Sequence, residues 1–423
     1  MTRAPLTIMA VLAALLMGVW WLTDGRAEEP SKPAPVAPVP VIAERVEAIR
    51  GQRFETLPKP VSVSPSQARR EALVDLDRSY PAARRRADEE ILKLLGLIDP
   101  SVDLREVSGS LFSEGVAGYY DPRTKRLRTV RGADTGGRVV TEMILAHELT
   151  HALEDQRFGL GLDDSGTDDA ALARLALTEG TASDLMFSYA RRHFSQEETL
   201  GGVLASSFAP TGSVPGFLQA QLTFPYVGGQ RFVEALRDRA GGRWTLVDLA
   251  VRTRPPTTTE QVLHPGKWVR FEPALPVRIR AREALGAGWR RAADGVWGEW
   301  GTREVLATAG GGGSADAASG WGGDRFELWQ RGTAGGCKAP CRSDSALIVR
   351  WAWDTPADGR EFAVKLRQWV RDGLGATRRA GGTSGIGGGH VAVGARDGAV
   401  TLAMAPTGPL ARRLAAAGPA AAG

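Results

Sequence analysis

Apolar residues recur at intervals of three and four residues along several stretches of the chain. This spacing places them on one face of a helix. The pattern predicts helices over residues 66–80, 82–97 and 170–191, and a longer helix that begins at Gly137. Beyond Gly201 it predicts shorter helical pieces, such as 229–239. The N-terminal part of the chain is therefore expected to be mainly helical.

Other stretches have the composition of strands and turns. Residues 111–130 contain two strand-like runs on either side of Asp-Pro-Arg-Thr, which is typical of a turn, so they predict a β-hairpin. After Trp289 the pattern changes. It predicts strands at 325–329 and 346–353, a helix at 356–372 and a turn at 396–398 that joins two more short strands. The expected fold class is α+β, with a smaller α+β unit following the helical domain.

The N-terminus has the features of a targeting segment. Arg3 precedes an apolar run of 17 residues, 6–22, and the small residues Gly25 and Ala27 follow. This arrangement predicts a cleaved signal peptide over 1–27, and an uncleaved membrane anchor is the alternative. The protein is therefore expected to be secreted or periplasmic, or tethered to a membrane and facing outside the cytoplasm.

The remaining boundaries follow from changes in composition. Prolines between residues 29 and 41 predict an extended linker over 28–44. We expect the main domain at 45–290, the α+β unit at 291–406 and an alanine-rich tail at 407–423, whose low complexity is typical of disorder. The glycine-rich run 381–390 is interpreted as a loop, because it lacks the strand and helix that flank a phosphate-binding loop.

Composition and charge exclude several classes of protein. The 423 residues are 43% hydrophobic and 24% charged, as in an ordinary globular protein. The 53 basic and 48 acidic residues are interspersed without a basic stripe, so no nucleic-acid partner is expected. Cys337 and Cys341 are too few for a cysteine-rich scaffold or a four-cysteine zinc site, but they allow one disulfide in an oxidising compartment.

The segment His147-Glu148-Leu149-Thr150-His151 lies within the long predicted helix. Residues four apart share a helix face, so both imidazoles can bind one ion, and Glu148 projects beside them toward a metal-activated water. Catalytic zinc sites use three protein ligands and leave one position open. A third ligand is therefore required, and the alternative is that the two histidines merely lie on an exposed helix face.

Glu179 is the best candidate for the third ligand. The longer HExxHxxGxxH pattern is absent, because Glu154 and Arg157 stand at the positions that would be glycine and histidine. Glu179 is separated from His151 by 27 intervening residues and lies in a helix of apolar and small residues, where a carboxylate is expensive to bury without a cation. Gly180 is expected to let this helix approach the His-Glu helix closely.

HELTHALEDQ followed by LALTEGTASD resembles the gluzincin clan of zinc metallopeptidases, and the wider sequence resembles secreted bacterial candidate metallopeptidases. The resemblance spans residues 45–370. It implies a gluzincin-like fold, one zinc ion, a peptide or protein substrate and an edge strand from the hairpin that holds the substrate. Glu148 would act as general base. The sequence departs from the thermolysin-like pattern because an acid four residues after Glu179 is replaced by Ser183.

Several residues are candidates for supporting roles. Asp155 and Asp184 are possible partners of the metal-binding histidines. A group that donates to the developing oxyanion is also expected, and the candidates are His264, Tyr119, Tyr120 and Tyr226. His193 and His390 belong to no motif.

Two other functions remain open at this stage. One is a catalytically silent gluzincin-like module that binds peptides or cell-envelope partners, against which the retention of Glu148 argues. The other is a zinc amidase that acts on cell-wall amides with the same chemistry. A deformylase-like site is disfavoured, because no cysteine ligand lies near the motif. The oligomeric state is not predicted.

Overall fold

The computed structural model describes residues 35–114, 118–132, 137–160, 166–205, 214–332, 337–379 and 381–417. The helices are α1 (Val39–Arg50), α2 (Pro65–Ser79), α3 (Ala82–Leu94), α4 (Leu104–Glu114), α5 (Arg138–Phe158), α6 (Asp168–His193), α7 (Gln196–Ala205), α8 (Gly216–Arg239), α9 (Thr245–Arg252), α10 (Thr259–Leu263), α11 (Pro265–Val269), α12 (Ala281–Leu285), α13 (Gly298–Ala307), α14 (Ser314–Ala318), α15 (Pro356–Asp372) and α16 (Gly408–Ala416). The strands are β1 (Val61–Val63), β2 (Gly118–Asp121), β3 (Arg126–Val130), β4 (Trp289–Gly295), β5 (Trp321–Arg331), β6 (Ser345–Trp353), β7 (Thr377–Arg379), β8 (Thr383–Ile386), β9 (Gly389–Arg396) and β10 (Ala399–Ala405).

Three long helices, α5, α6 and α8, form the centre of the N-terminal part. The α6 helix packs against both of the others, and α1 packs across α5 and α6. Apolar residues of α5, such as Leu149 and Leu153, are fully buried against Leu185 of α6 and Ile42 of α1. The helices predicted over 66–80, 82–97 and 170–191 and the long helix from Gly137 are confirmed as α2, α3, α6 and α5.

A small sheet lies beside α5. Its strand order is β1-β3-β2, with β1 parallel and β2 antiparallel to β3. The predicted hairpin is confirmed, and the Asp121 side chain stabilises its turn by accepting hydrogen bonds from Arg123 N–H and the Thr124 hydroxyl. Within the described residues β2 is an edge strand, and it contacts the helix that carries His147.

The C-terminal part is built on an antiparallel sheet of seven strands. Their order is β4-β5-β6-β10-β9-β8-β7. The predicted strands at 325–329 and 346–353 lie within β5 and β6, and the turn at 396–398 joins β9 to β10. The helix predicted over 356–372 is α15, and a capping box between Thr355 and Asp358 fixes its start. The α+β class is thus confirmed.

The two parts share one hydrophobic core. Trp300 of α13 contacts Phe224 and Phe217 of α8, with ring centroids 5.3 and 6.0 Å apart. The same buried cluster extends to Trp351 in the seven-stranded sheet and Phe362 on α15. The predicted units are therefore not separated by a solvent-filled boundary.

The structure differs from the predicted elements at several places. The predicted linker over 28–44 already contains the start of α1 at Val39, and the predicted tail over 407–423 contains α16. Both helices bury apolar residues, Ile42 in α1 and Leu414 in α16. Residues 104–114 form a helix, α4, although the pattern predicts a strand from residue 111. The predicted piece 229–239 is the end of the much longer α8. The run 381–390, interpreted as a loop, instead contains β8 and the first residues of β9, which pair with each other.

Two observations bear on location. A disulfide joins Cys337 and Cys341, which is compatible with an extracellular protein. In the described residues no helix has the length and apolar character needed to cross a membrane. The predicted signal peptide or anchor over 1–27 lies outside the described residues.

Candidate metal centre

The two histidines of the motif lie on one face of α5. His147 and His151 are both buried, and their Nε2 atoms are 3.0 Å apart. The α5 helix begins after Gly137 and ends at Phe158, so the motif occupies its middle, where the backbone is held by regular hydrogen bonds. The i, i+4 spacing therefore brings both ring nitrogens to the same point, as expected.

Glu179 of α6 completes the cluster. One of its carboxylate oxygens lies 3.2 Å from His147 Nε2 and 3.4 Å from His151 Nε2. Thr167 caps the start of α6 by accepting a hydrogen bond from Ala170 N–H. The residue predicted from its position in an apolar helix is thus adjacent to both histidines, and the three side chains offer converging ligand atoms.

Glu179 and His151 have strongly shifted pKa values. Burial alone would raise the pKa of Glu179, but the two histidines outweigh it and lower that pKa to about 2. Burial alone would lower the pKa of His151, but the Glu179 carboxylate outweighs it and raises that pKa to about 9. Without a metal ion the site therefore attracts a proton, and a divalent cation would take that proton's place.

The donor set fits zinc. Tetrahedral zinc with bonds of about 2.0–2.1 Å to nitrogen and oxygen requires ligand atoms about 3.3 Å apart. The three separations here are 3.0, 3.2 and 3.4 Å. Two histidines and one glutamate also form the ligand set of catalytic zinc sites that keep one position open. The Nδ1 atoms of both histidines are buried without a hydrogen-bond partner in the described residues.

Glu148 is held beside the cluster by the edge strand. One carboxylate oxygen accepts the backbone N–H of Tyr120 in β2 at 2.7 Å. The other oxygen is buried and has no hydrogen-bond partner among the described residues. Burial raises the pKa of Glu148 above its usual range, although His147 and His151 act in the opposite direction. One oxygen thus positions the side chain, and the other has no described partner.

Asp155 and Asp184 do not contact the histidines in the described structure. Asp155 accepts hydrogen bonds from the Tyr120 hydroxyl at 2.7 Å and from Lys125 Nζ at 2.6 Å, and so holds the hairpin against α5. Asp184 forms an ion pair with Arg237 and joins α6 to α8. Both carboxylates are buried, but each orients a neighbouring element rather than an imidazole.

His264 contacts a different cluster. Its Nε2 lies 2.8 Å from Glu299, and no described contact joins it to His147, His151 or Glu179. It lines a cavity of about 480 Å³ together with Lys267.

A second group of carboxylates lies near His264, formed by Glu260, Glu272 and Asp354. The Lys267 ammonium lies between them, at 2.6, 2.8 and 2.6 Å respectively. Lysine therefore supplies the positive charge that these carboxylates require, and the group is an ion-pair cluster. The sequence gives no signal for it, because its four members come from separate elements.

Of the three tyrosine candidates, Tyr226 contacts the candidate metal-binding cluster of His147, His151 and Glu179 directly. Its ring stacks on the His147 ring, with centroids 6.0 Å apart. Burial and the charges of Glu179 and Glu148 raise its pKa well above the usual value, so the hydroxyl stays protonated. The Tyr119 hydroxyl donates to Glu71 on α2 instead, and the Tyr120 hydroxyl is held by Asp155.

The tight crossing of α6 and α8 brings Tyr226 to this position. A Cβ atom on Gly180 would lie 2.2 Å from the backbone of Gly229, and one on Gly229 would lie 1.9 Å from the carbonyl oxygen of Ala176. Gly180 was expected to allow close approach to the His-Glu helix. The structure shows that it allows close approach to α8.

Comparisons with known proteins add little about this site. A family described as "Domain of unknown function (DUF8575)" matches residues 284–415, which is less than half of the chain and does not include the metal-binding cluster. No curated protein matches the sequence. A crystal structure of a candidate hydrolase with a novel fold from Chloroflexus aurantiacus matches with 20% identity and a TM-score of 0.37, covering 55% of this chain and 87% of that one. This similarity is too low to assign a fold or an activity.

Proposed function

We propose that the protein is a zinc-dependent metallopeptidase that hydrolyses peptide bonds outside the cytoplasm. His147, His151 and Glu179 would bind the zinc ion, and Glu148 would act as general base. The convergence of three buried ligand atoms, with a second buried carboxylate beside them, carries the proposal. A structural zinc site has four protein ligands and no need of a neighbouring base, so this arrangement favours a hydrolase over a silent binding module.

Each side chain of the site has a definite task in this mechanism. When bound, zinc would polarise the scissile carbonyl and lower the pKa of water. Tyr120 N–H holds one oxygen of Glu148, and the unpartnered oxygen takes the proton of the attacking water. Burial raises the pKa of Glu148, which favours its later donation of that proton to the leaving amine. The protonated Tyr226 hydroxyl is a donor for the developing oxyanion.

The position of the edge strand β2 favours a peptide as the substrate. Among the described residues, β2 pairs on one side with β3 and has no strand partner on the other, although its Tyr120 N–H already donates to Glu148. An extended peptide can add to such an edge through main-chain hydrogen bonds. Because Tyr120 in this strand also binds Glu148, a peptide beside β2 would have its backbone next to the general base.

Removal and return of the metal test the proposal. The purified protein is stripped with a chelator and titrated with zinc while peptide cleavage is followed. We expect one zinc ion per chain, loss of cleavage on stripping and its recovery with zinc. Glu179→Gln should weaken zinc binding by at least about 100-fold, because one of three ligands loses its charge. His193→Asn on the same helix is the control and should behave as the parent.

Two results would contradict the proposal. Cleavage that persists without metal would exclude zinc catalysis. Zinc binding that is unchanged by Glu179→Gln would exclude the ligand set. A zinc-loaded protein that cuts muropeptides but not peptides would support the cell-wall amidase alternative.

A further inference from the structure

A second cavity lies at the far end of the seven-stranded sheet. It is formed where β7, β8 and β9 meet the start of α16, and its volume is about 710 Å³. Cavities of about 300–1,000 Å³ are typical of small-molecule sites. The glycine-rich run between residues 381 and 389 supplies much of the wall. No residue of the proposed zinc site lines it.

The wall of this cavity is positively charged. Arg379 and Arg412 both line it, and none of its lining residues is Asp or Glu. Among the described residues neither guanidinium forms an ion pair, and Arg412 gives one hydrogen bond to the carbonyl oxygen of Gly381 at 3.2 Å. Two guanidinium groups without a counter-charge, directed into one cavity, favour an anion there.

Glycines allow the arginines to lie against the backbone of the glycine-rich run. A Cβ atom on Gly385 would be 2.9 Å from Arg379 Nε, and one on Gly381 would be 2.8 Å from Arg412 Nη1. Side chains at these two positions would push the guanidinium groups away. The glycine-rich sequence is therefore suited to holding both arginines close to the backbone.

Unpartnered polar groups are directed into the same space. Thr383 is a buried residue, 4% exposed, and no described hydrogen bond involves its hydroxyl. His390 Nδ1 is likewise buried without a partner. The Thr383 hydroxyl oxygen and His390 Nδ1 each lie 3.3 Å from the point that a Cβ atom on Gly408 would occupy, so both are next to the first residue of α16. The Thr407 side chain does not cap this helix, and Pro409 carries no N–H, so the first-turn donors left for an acceptor are the N–H groups of Gly408 and Leu410.

We propose that this cavity binds a small organic phosphate monoester. The phosphate group would lie between Arg379, Arg412 and the first turn of α16, with Thr383 donating to one oxygen. These donors come from several sides, which suits the three terminal oxygens of a phosphate better than a planar carboxylate. The volume exceeds that of one phosphate ion, so the organic part of the ligand occupies the remaining space.

Calorimetric titration of the whole protein tests this site. The probes are glycerol 3-phosphate, inorganic phosphate and glycerate, which has a carboxylate in place of the phosphate. We expect saturable binding of glycerol 3-phosphate, weakened at least about tenfold by Arg379→Gln and by Arg412→Gln. The controls are Arg378→Gln and Arg413→Gln, which change neighbouring arginines that do not line the cavity and should leave binding unchanged.

Thr383→Val is a second probe. It should weaken binding several-fold without lowering the melting temperature, because the hydroxyl has no described hydrogen bond to lose. The proposal is overturned if no phosphate probe binds saturably, if the control arginines matter equally, or if binding survives both arginine substitutions. Equal or tighter binding of glycerate or of inorganic phosphate would also overturn it.

Discussion

Buried carboxylates on α5 and α6 have specific partners, and the partners of Glu179 differ in kind from those of the others. Glu154 is fully buried and accepts a hydrogen bond from Arg50 Nε at 2.9 Å. Asp184 is held by Arg237. Glu179 instead lies against two histidines, whose Nε2 atoms are 3.0 Å apart. Two neutral imidazoles that direct lone pairs at each other repel, so the arrangement calls for a cation or a proton between them.

Asp169 is predicted to make stability depend on pH. Burial raises its pKa to about 8, and the nearby charges of Asp324 and Glu260 add to the rise. The folded state therefore holds a proton that the unfolded chain releases near pH 4. This contribution to stability is complete below about pH 4 and is lost progressively as the pH rises from about 4 to about 8.

Urea unfolding at pH 6, 7 and 8 measures this effect. We expect the free energy of unfolding to fall by up to about 1.4 kcal/mol per pH unit from this group, and Asp169→Asn should reduce that slope. Asp168→Asn is the control, because the Asp168 side chain is 40% exposed and pairs with Arg84. An unchanged slope in Asp169→Asn would show that Asp169 does not hold the proton.

The sequence shows the candidate metal ligands better than their surroundings. His147 and His151 can be identified because their spacing matches the helix period, and Glu179 because an acid interrupts an apolar face. Asp155 and Asp184 fit the same pattern, but their partners, Tyr120 and Arg237, come from a strand and a helix whose packing the sequence does not show. Periodicity along a helix predicts which face a side chain lies on. It does not predict which residue of another element that side chain contacts.

At the scale of elements, the crossing of α6 and α8 sets the geometry of the site. Gly180 and Gly229 leave no room for a Cβ atom, so the two backbones touch. Glu179 immediately precedes Gly180, and Tyr226 lies about one helical turn before Gly229. A change in the distance between these helices would therefore move a predicted metal ligand relative to the ring that stacks on His147.

Gly229→Ala tests this dependence. The new Cβ would overlap the Ala176 carbonyl oxygen, so we expect a loss of stability of about 1–3 kcal/mol, as for other overpacked cores. Zinc affinity should fall in parallel. The control is Gly216→Ala in the same helix, where a Cβ would meet no atom within 4 Å. Thermal unfolding and zinc titration measure both effects, and a fully stable Gly229→Ala protein would contradict the tight crossing.

The elements that the sequence predicts well are those with local signals. The β2–β3 hairpin and the start of α15 are marked by turn and capping residues. The α8 helix is only partly predicted, because Pro225 normally ends a helix. Burial of Phe224 and Phe232 in the shared core holds the helix together on both sides of the proline. Tertiary packing of this kind cannot be inferred from a pattern along the chain.

At the scale of the molecule, the change of pattern after Trp289 predicts two units, but the units are packed together. Trp300 of the C-terminal part lies on Phe224 of α8, and the buried cluster continues through Trp351. Composition reveals the change in secondary structure, and it does not reveal that one core serves both parts. The C-terminal sheet therefore stabilises the helix that carries Tyr226.

This shared core predicts cooperative unfolding. Scanning calorimetry should show one thermal transition whose calorimetric and van't Hoff enthalpies agree. Trp300→Ala should lower the midpoint of the whole transition, because it removes a large buried side chain between the two parts. Two separate transitions, of which Trp300→Ala shifts only one, would show that the parts fold independently.

The most direct test of the proposed function is cleavage of a diverse peptide mixture by the zinc-loaded protein and by Glu148→Gln. We expect the parent to cut peptides and the variant to cut at least about 100-fold more slowly with the same zinc content, because the variant keeps the ligands and loses the base. Glu234→Gln is the control, since Glu234 lies on α8 and accepts a hydrogen bond from Gln230. Cleavage at the same bonds and a similar rate by Glu148→Gln would contradict the account.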